Sequence, residues 1–483
     1  MSDRTQGLRI GWASRDVTPS GKVSLRGQFH VRIADEVHDP LTVSALALES
    51  KDADEQAILV SLDAVGVSDY VTEGCRKRLA EMLPAFRPDM LLISATHTHT
   101  APDQPRPILA GRPGLSDDVM SEEAYADLLV AQIGDAAIEA WNNRASGAVS
   151  WGRGHAVVGF NRRVAYFDGS TKMYGPTDVP EFSHIEGHED HAVELLFTYD
   201  KNRDLTGMVV NVPCPAQCSE QACFVSADYW HDARREIRKR HGEHLHILPQ
   251  CSAAGDLSPR TMLNRDADAR MLRLRGLGDD YNAARRTDIA DKLATLVDEV
   301  LPPASNDIRG EVDFKHRNVT VELTRRRVTE NELREAEKQV ALAEDRLSAC
   351  ENAGPASFEY SSTFRRRGFN RRVVDLYRAQ QRGEQLTLPV ELHVLRIGDV
   401  AMCANRFEYY LDFGERIKGR SKALQTFVVQ LAGAGTYLPT QRSVQGGSYG
   451  AYIASTPVGF EGGQEIVEAA LAALDDLFDE GGE

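Results

Sequence analysis

Two histidines one residue apart, His97 and His99, stand in SATHTHTAP (94–102), directly after the apolar run DMLLISA (89–95). In an extended chain residues i and i+2 project to the same side, so both imidazoles can converge on one point. Imidazoles at the carboxyl end of a buried strand suit a borderline-soft cation such as zinc, and strand ends are where α/β sheets place their sites. Two hydrogen-bonded loop histidines have the same spacing, so the motif alone leaves both roles open. In QCSAAGDLSPR (250–260) a second apolar strand runs into a small-residue turn carrying Asp256 and Ser258. Such a turn displays its groups to a ligand or is a plain turn with a capping serine. CPAQCSEQACFVSAD (214–228) gathers Cys214, Cys218 and Cys223 without zinc-ribbon spacing, and packing is the default for each thiol. SHIEGHEDH (183–191) is either a further cation site or a solvated turn. The glycines of QGGSYG (445–450) do not have a phosphate-cradling spacing.

The elements that must hold these residues are readable from periodicity. AILVSL (57–62) and DMLLISA read as buried strands around a helix near 72–83. After Ser121 a long helix puts Tyr125, Leu128, Leu129, Ile133, Ala136, Ala137, Ala140 and Trp141 on one face, with Ser121 at its cap. HAVELLFTYD, LTGMVVNV and HLHILPQCSA read as strands, with YWHDARREIRKRHG as a helix between the last two. The stretch 328–352 is a charged helix and 362–383 is Arg-rich. Together, over 328–386, they predict a helical insertion that is either a solvated face or a patch for an acidic substrate. ELHVLRIGDVAMCA and TFVVQLAG return to strand, and a helix over about 464–478 closes the chain. This alternation predicts an α/β protein: a multi-layer sandwich of mixed sheets covered by helices, one catalytic module over 1–483.

The chain has 483 residues, 42% hydrophobic and 27% charged, which is ordinary globular composition. Lys+Arg 56 against Asp+Glu 72 gives a net charge of −16, which argues against nucleic acid, because phosphate binding needs clustered positive charge. No run approaches a membrane span or a signal peptide, and seven scattered cysteines do not form a disulfide framework. A cytoplasmic protein acting on a small-molecule substrate is expected.

Taken in order, DVTP (16–19), SATHTH (94–99), FNRR (160–163), CP…SAD (214–228), GDLSP (255–259), FEYYLDFG (407–414), TYLPT (436–440) and GGSY (446–449) resemble the neutral ceramidase superfamily, whose members are zinc amidases. The resemblance spans nearly the whole chain. It implies a zinc ion held by His97, Cys214, Glu408 and Tyr437, with Cys214 standing where the family has its second histidine ligand and a thiolate being a zinc ligand type as well. It implies that His99 lines the substrate side, that Arg162 and Tyr449 orient the substrate, and that Ser258, beside Asp256, is the active-site serine. Asp63, at the end of AILVSL, is a candidate partner for a ligand imidazole. Unlike the exported ceramidases, this chain is expected to have no immunoglobulin-like domain after the catalytic module.

The expected activity is zinc-assisted hydrolysis of an amide-type C–N bond, the metal polarising the carbonyl and lowering the pKa of bound water. A polar soluble substrate is expected rather than ceramide. A glycosidase or esterase on the same scaffold, or a metal-free binding protein, are the alternatives.

Overall fold

The structure is a computed structural model describing residues 7–105, 115–384, 387–456 and 458–479. Residues 1–6 of the amino-terminal segment, and 385–386 at the end of the expected insertion, lie outside the described residues.

Strands β1 (Leu8–Asp16), β2 (Thr42–Ser50), β3 (Gln56–Leu62), β4 (Leu91–Ala95), β5 (Ala145–His155), β6 (Ala192–Tyr199), β7 (Leu205–Val212) and β8 (His246–Cys251) form one sheet in the order β8-β7-β6-β5-β1-β2-β3-β4. A second sheet runs β9 (Phe314–Thr324), β10 (Thr387–Ile397), β11 (Val400–Ala404), β12 (Gln425–Val429). The helices are α1 (Asp69–Met82), α2 (Glu122–Asn142), α3 (Tyr229–His241), α4 (Arg265–Leu274), α5 (Tyr281–Ala304), α6 (Glu330–Ala349), α7 (Phe358–Gln381), α8 (Leu411–Arg420), α9 (Gln441–Gly446) and α10 (Phe460–Asp479).

Parallel pairing in the large sheet is confined to its two ends, β3 with β4 across α1 and β7 with β8 across α3. The centre is antiparallel. The alternation read in sequence therefore holds at the ends only, because neighbouring antiparallel strands need no helical crossover. As expected, Ser121 caps α2, its hydroxyl accepting from Ala124 N.

The period of two along β2 shows how the layers are built. Val43, Ala45 and Ala47 join a core with Leu79 of α1 and Tyr125, Leu129 and Ile133 of α2. Leu46 and Leu48 face the other way, onto Leu395, Met402 and Phe427 of the second sheet. α3 and α5 cover β6 and β7 through Trp230, Ile237, Leu293 and Val297. The outer face of the second sheet, Leu392, Val394 and Cys403, is closed by Phe413 of α8 and Ile466 and Leu474 of α10. The result is the helix–sheet–sheet–helix sandwich that the apolar pattern predicts.

Two features direct this frame toward one place. Gln430 N donates to Cys251 O (3.0 Å) and Ala95 N to Leu431 O (3.3 Å), so the end of β12 lies between the ends of β8 and β4. The segments after β4, β7, β8 and β11 are thereby brought together. The Arg-rich stretch is helical: α6 begins with a Thr329–Glu332 capping box, and α7 packs Val373 and Val374 on Ala336, Ile453 and Ala454. Among the described residues no helix is long and apolar enough to cross a membrane.

Candidate active site

Thr96, Thr98 and Thr100 alternate with the two histidines and tie the segment down. Thr96 Oγ1 donates to Asp63 Oδ1 (3.2 Å), and the Thr98 and Thr100 hydroxyls donate to Ser226 O (2.8 and 2.9 Å). His97 and His99 are left facing the opposite side, both buried. Their convergence does not come from a pleated strand as the spacing suggested. His97 has φ +67°, and this bend brings the two Nε2 atoms to 3.3 Å with the rings edge to face. A non-glycine residue held there is strained, a cost of about 1–3 kcal/mol that recurs at functional sites.

The bonding of His97 fixes its tautomer. Nδ1 lies 2.6 Å from Val65 O, and since a carbonyl only accepts, Nδ1 carries the proton and Nε2 presents its lone pair. Asp63, the sequence candidate for this supporting role, instead receives Thr42 N, Thr96 and both Arg234 Nη groups, so it anchors the segment without touching the imidazole.

Glu408 and Tyr437 are distant in sequence yet stand in register on two short parallel strands, Glu408–Tyr409 and Tyr437–Leu438. Gly255 makes this close packing possible: a Cβ on it would lie 2.4 Å from Glu408 O. Glu408 Oε2 is 3.4 Å from His97 Nε2, and Tyr437 stands beside Glu408 in register on the neighbouring strand. Burial pushes the Glu408 carboxyl up, but His97, Arg162 and Tyr437 outweigh it and hold it below the usual carboxylate range. Burial, then Glu408, push the Tyr437 phenol up. A carboxylate thus faces an imidazole lone pair. Only a cation at this point, proton or metal, makes the contact attractive, so the donor set fits a metal ion held by His97, Glu408 and Tyr437. Among the described residues no group of three His, Cys, Asp or Glu side chains is placed to hold a metal.

Arg162 is the buried hub beneath these groups. It donates to Tyr174 Oη (3.0 Å), Gln217 Oε1 (3.1 Å), Gly255 O (2.9 Å) and Tyr437 Oη (3.5 Å). Because Oε1 of Gln217 accepts from Arg162, Nε2 of Gln217 donates to His99 Nε2 at 2.7 Å. His99 Nε2 is therefore an acceptor and Nδ1 carries the proton, buried without a hydrogen-bond partner and 3.8 Å from Glu220 Oε2. Burial, then His97, hold His99 well below the usual histidine range. Its ring rests on Gly27, at φ +111°, where a Cβ would lie 2.5 Å from His99 Cγ.

These groups open into a cavity of about 620 Å³, a small-molecule size. His97, His99, Glu408, Tyr437 and Tyr449 line it. Arg162 lies behind Tyr437. Ser258 lies further back, its hydroxyl accepting from Tyr174 Oη (3.4 Å) and Arg260 N (3.2 Å). Asp256 accepts from Leu411 N at the start of α8 (2.9 Å) and from Asn161 Nδ2 (2.9 Å), which joins the turn to the frame; burial pushes its carboxyl up to about 6. Cys214 is not brought to the cavity. Its thiol donates to Val158 O (3.4 Å) inside the core under α3 and α5, and burial pushes its pKa well up. The carboxylates of 183–191 serve the frame, Glu186 pairing with Arg163 and Asp190 with Lys418. Gln217, Glu220, Gly27 and Tyr174 escaped the sequence reading; Gln217 and Glu220 lie inside the 214–228 segment but have no spacing signal of their own, and Gly27 and Tyr174 lie outside every motif.

Neither a protein-family model nor a curated protein sequence matches the chain. Solved structures do. The crystal structure of neutral ceramidase from Pseudomonas aeruginosa superposes with a TM-score of 0.68 at 15% identity, over 98% of this chain and 75% of that one. The chain has the neutral ceramidase fold. A ceramidase complexed with C2 gives the same TM-score, 0.68, at 14% identity, over 98% of this chain and 76% of its own. The mixed sheets and covering helices expected from the sequence are thus those of the ceramidase fold.

Proposed function

We propose that the protein is a hydrolase that cleaves an amide-type C–N bond of a polar soluble substrate in this cavity, with zinc as its metal. The observation that carries the reading is the meeting of the His97 lone pair, the Glu408 carboxylate and the Tyr437 phenol at one wall of the cavity. The ceramidase fold supports it. His97, Glu408 and Tyr437 would hold the ion, which would polarise the acyl carbonyl.

The rest of the reaction falls to the chain's own side chains. Water oxygen bonds to the acyl carbon, the C–N bond breaks, and the nitrogen leaves as an amine after gaining a proton. His99 exchanges its Gln217 partner for the attacking water and carries that proton, and Glu220 beside Nδ1 offsets the charge on the imidazole. Burial pushes the Tyr449 phenol up, so it stays protonated and donates to the developing oxyanion. Arg162 positions Tyr437 and Gln217, and Ser258 acts behind it through Tyr174. All seven cysteines are free thiols, which supports residence in a reducing compartment such as the cytoplasm.

The test is metal content by elemental mass spectrometry on protein purified without chelator. About one zinc per chain, lost in His97→Ala and Glu408→Gln and kept in Cys214→Ser, is the expected result. Metal absent from folded wild type even after incubation with zinc would overturn the metal part of the reading.

A further inference from the structure

The chain carries a net charge of −16, yet the wall of the cavity is basic. Arg26, Arg325, Arg365, Arg372 and Arg406 line it, against the carboxylates of Asp69 and Glu408. Asp69 is taken by Arg406 (2.9 Å), and Arg365 reaches Asp103 (3.3 Å). Counting Asp103 beside Arg365, five guanidiniums stand against three carboxylates, and the surplus leaves the cavity positive, which favours an anionic occupant.

The placement of these charges follows from α7. Arg365, Phe369, Arg372 and Leu376 all line the cavity, at spacings of four, three and four residues, which is a single stripe along one helix face. Charged and apolar side chains alternate along it. Phe369 begins a row of rings that leads to the reacting groups: Phe369 to Phe29, Phe29 to Tyr449 and Tyr449 to Tyr437, each step 5.3 Å between centroids. Arg372 stacks on Phe369 at 5.1 Å, at the end of the row farthest from Glu408. Arg325, whose buried Nε has no hydrogen-bond partner, also lines the cavity; it follows Thr324, which pairs with Thr387 next to Leu388, another lining residue. From the reacting groups outward, the cavity therefore runs from Tyr437 and Glu408, along an aromatic wall, to arginines.

We propose that the substrate is a two-ended amide: a scissile amide at His97 and Glu408, an apolar middle along the Phe369–Phe29–Tyr449 row, and a terminal carboxylate or phosphate held by Arg372 and Arg325. Arginine pairs both oxyanions through parallel N–H···O bonds. This rests on the hydrolase reading for the amide end only. Helix α7 is then the specificity element.

The experiment is isothermal titration calorimetry on the intact protein, read separately from turnover. The probes are sebacic acid mono-N-propylamide, its neutral methyl ester, the matching terminal phosphonate, and N-decanoylglycine, whose carboxylate adjoins the amide. Wild type is expected to bind a remote anion at least about tenfold more tightly than the ester, with the tighter of carboxylate and phosphonate naming the group. Arg372→Gln and Arg325→Gln should each lose about tenfold for the remote anion and leave the ester unchanged, with unfolding midpoints like wild type. Equal binding of anion and ester, equal weakening of both in the variants, or a preference for N-decanoylglycine would overturn the proposal. Arginine-dependent anion binding with no amide cleaved would refute the hydrolase reading alone. Cleavage without anion preference would refute this inference alone.

Discussion

Replacing Gly27 by alanine tests how tightly the site is held, because two separate costs can be worked out from the structure. At φ +111° an alanine is strained by about 1–3 kcal/mol wherever it sits. In addition its Cβ would stand 2.5 Å from His99 Cγ and Nδ1, while ordinary contact begins at 3.4 Å, so the ring must retreat by about 0.9 Å. The ring cannot do so freely, since Gln217 bonds its Nε2 at 2.7 Å and Arg32 bonds its backbone carbonyl. A displacement near 1 Å at a reacting group costs about 100-fold in rate. Gly21 is the control: its φ is +94° and nothing lies within 4 Å of a Cβ there. Gly21→Ala should therefore carry the backbone cost alone, with activity close to wild type. The assay is urea unfolding together with kcat/KM on whichever N-acyl amide wild type cleaves fastest. Gly27→Ala should be the less stable of the two and about 100-fold less active. Equal stability and activity in the two variants would refute the claim that Gly27 positions His99.

Three further outcomes follow from the same contacts. Arg162→Met removes the donor shared by Tyr174, Gln217, Gly255 and Tyr437 and a cation near buried Glu408; it should cost about 3–5 kcal/mol in urea unfolding, Arg162→Lys should recover part of it, and a loss under about 1 kcal/mol would contradict the hub role. His316 is buried in a pair with His393 (3.0 Å), and burial pushes it down to about 4. Above about 6.5 both folded and unfolded states leave it neutral and its contribution is complete. Between 6.5 and 4 only the unfolded state binds the proton, so stability should fall by up to about 3 kcal/mol as pH drops, a slope that His316→Gln should flatten in pH-resolved unfolding. Cys214→Ala should destabilise by roughly 1–2 kcal/mol through lost packing while keeping metal content and turnover, whereas loss of metal in a folded variant would return Cys214 to the ligand set.

Much of the frame was legible because strands such as AILVSL and the amphipathic α2 carry plain periodic signals. β1 and β2 were not read as strands. In β2 both faces are buried, Ala45 and Ala47 under helices and Leu46 and Leu48 under the second sheet, so no polar alternation marks it. At the site, His97, His99, Glu408, Tyr437 and Tyr449 were legible from motifs, and the structure brings all five to one cavity. Cys214 was assigned from its place in a motif, but the chain turns its thiol into the core and offers Gln217 to His99 instead. That choice depends on how the 214–226 loop folds across Thr98 and Thr100, a tertiary fact with no local signal. The inward stripe of α7 was present in sequence as a helical spacing, but only the packing of Val373 and Val374 on Ile453 and Ala454 decides which face looks inward.

The most direct test of the hydrolase claim is product analysis by mass spectrometry after incubating zinc-supplemented protein with N-acyl amides in water enriched in heavy oxygen. The expected result is a free amine and a carboxylic acid carrying the label, formed by wild type and absent with His97→Ala and Glu408→Gln. No cleavage of any amide by folded, zinc-supplemented wild type, or labelled acid still formed by both variants, would contradict it.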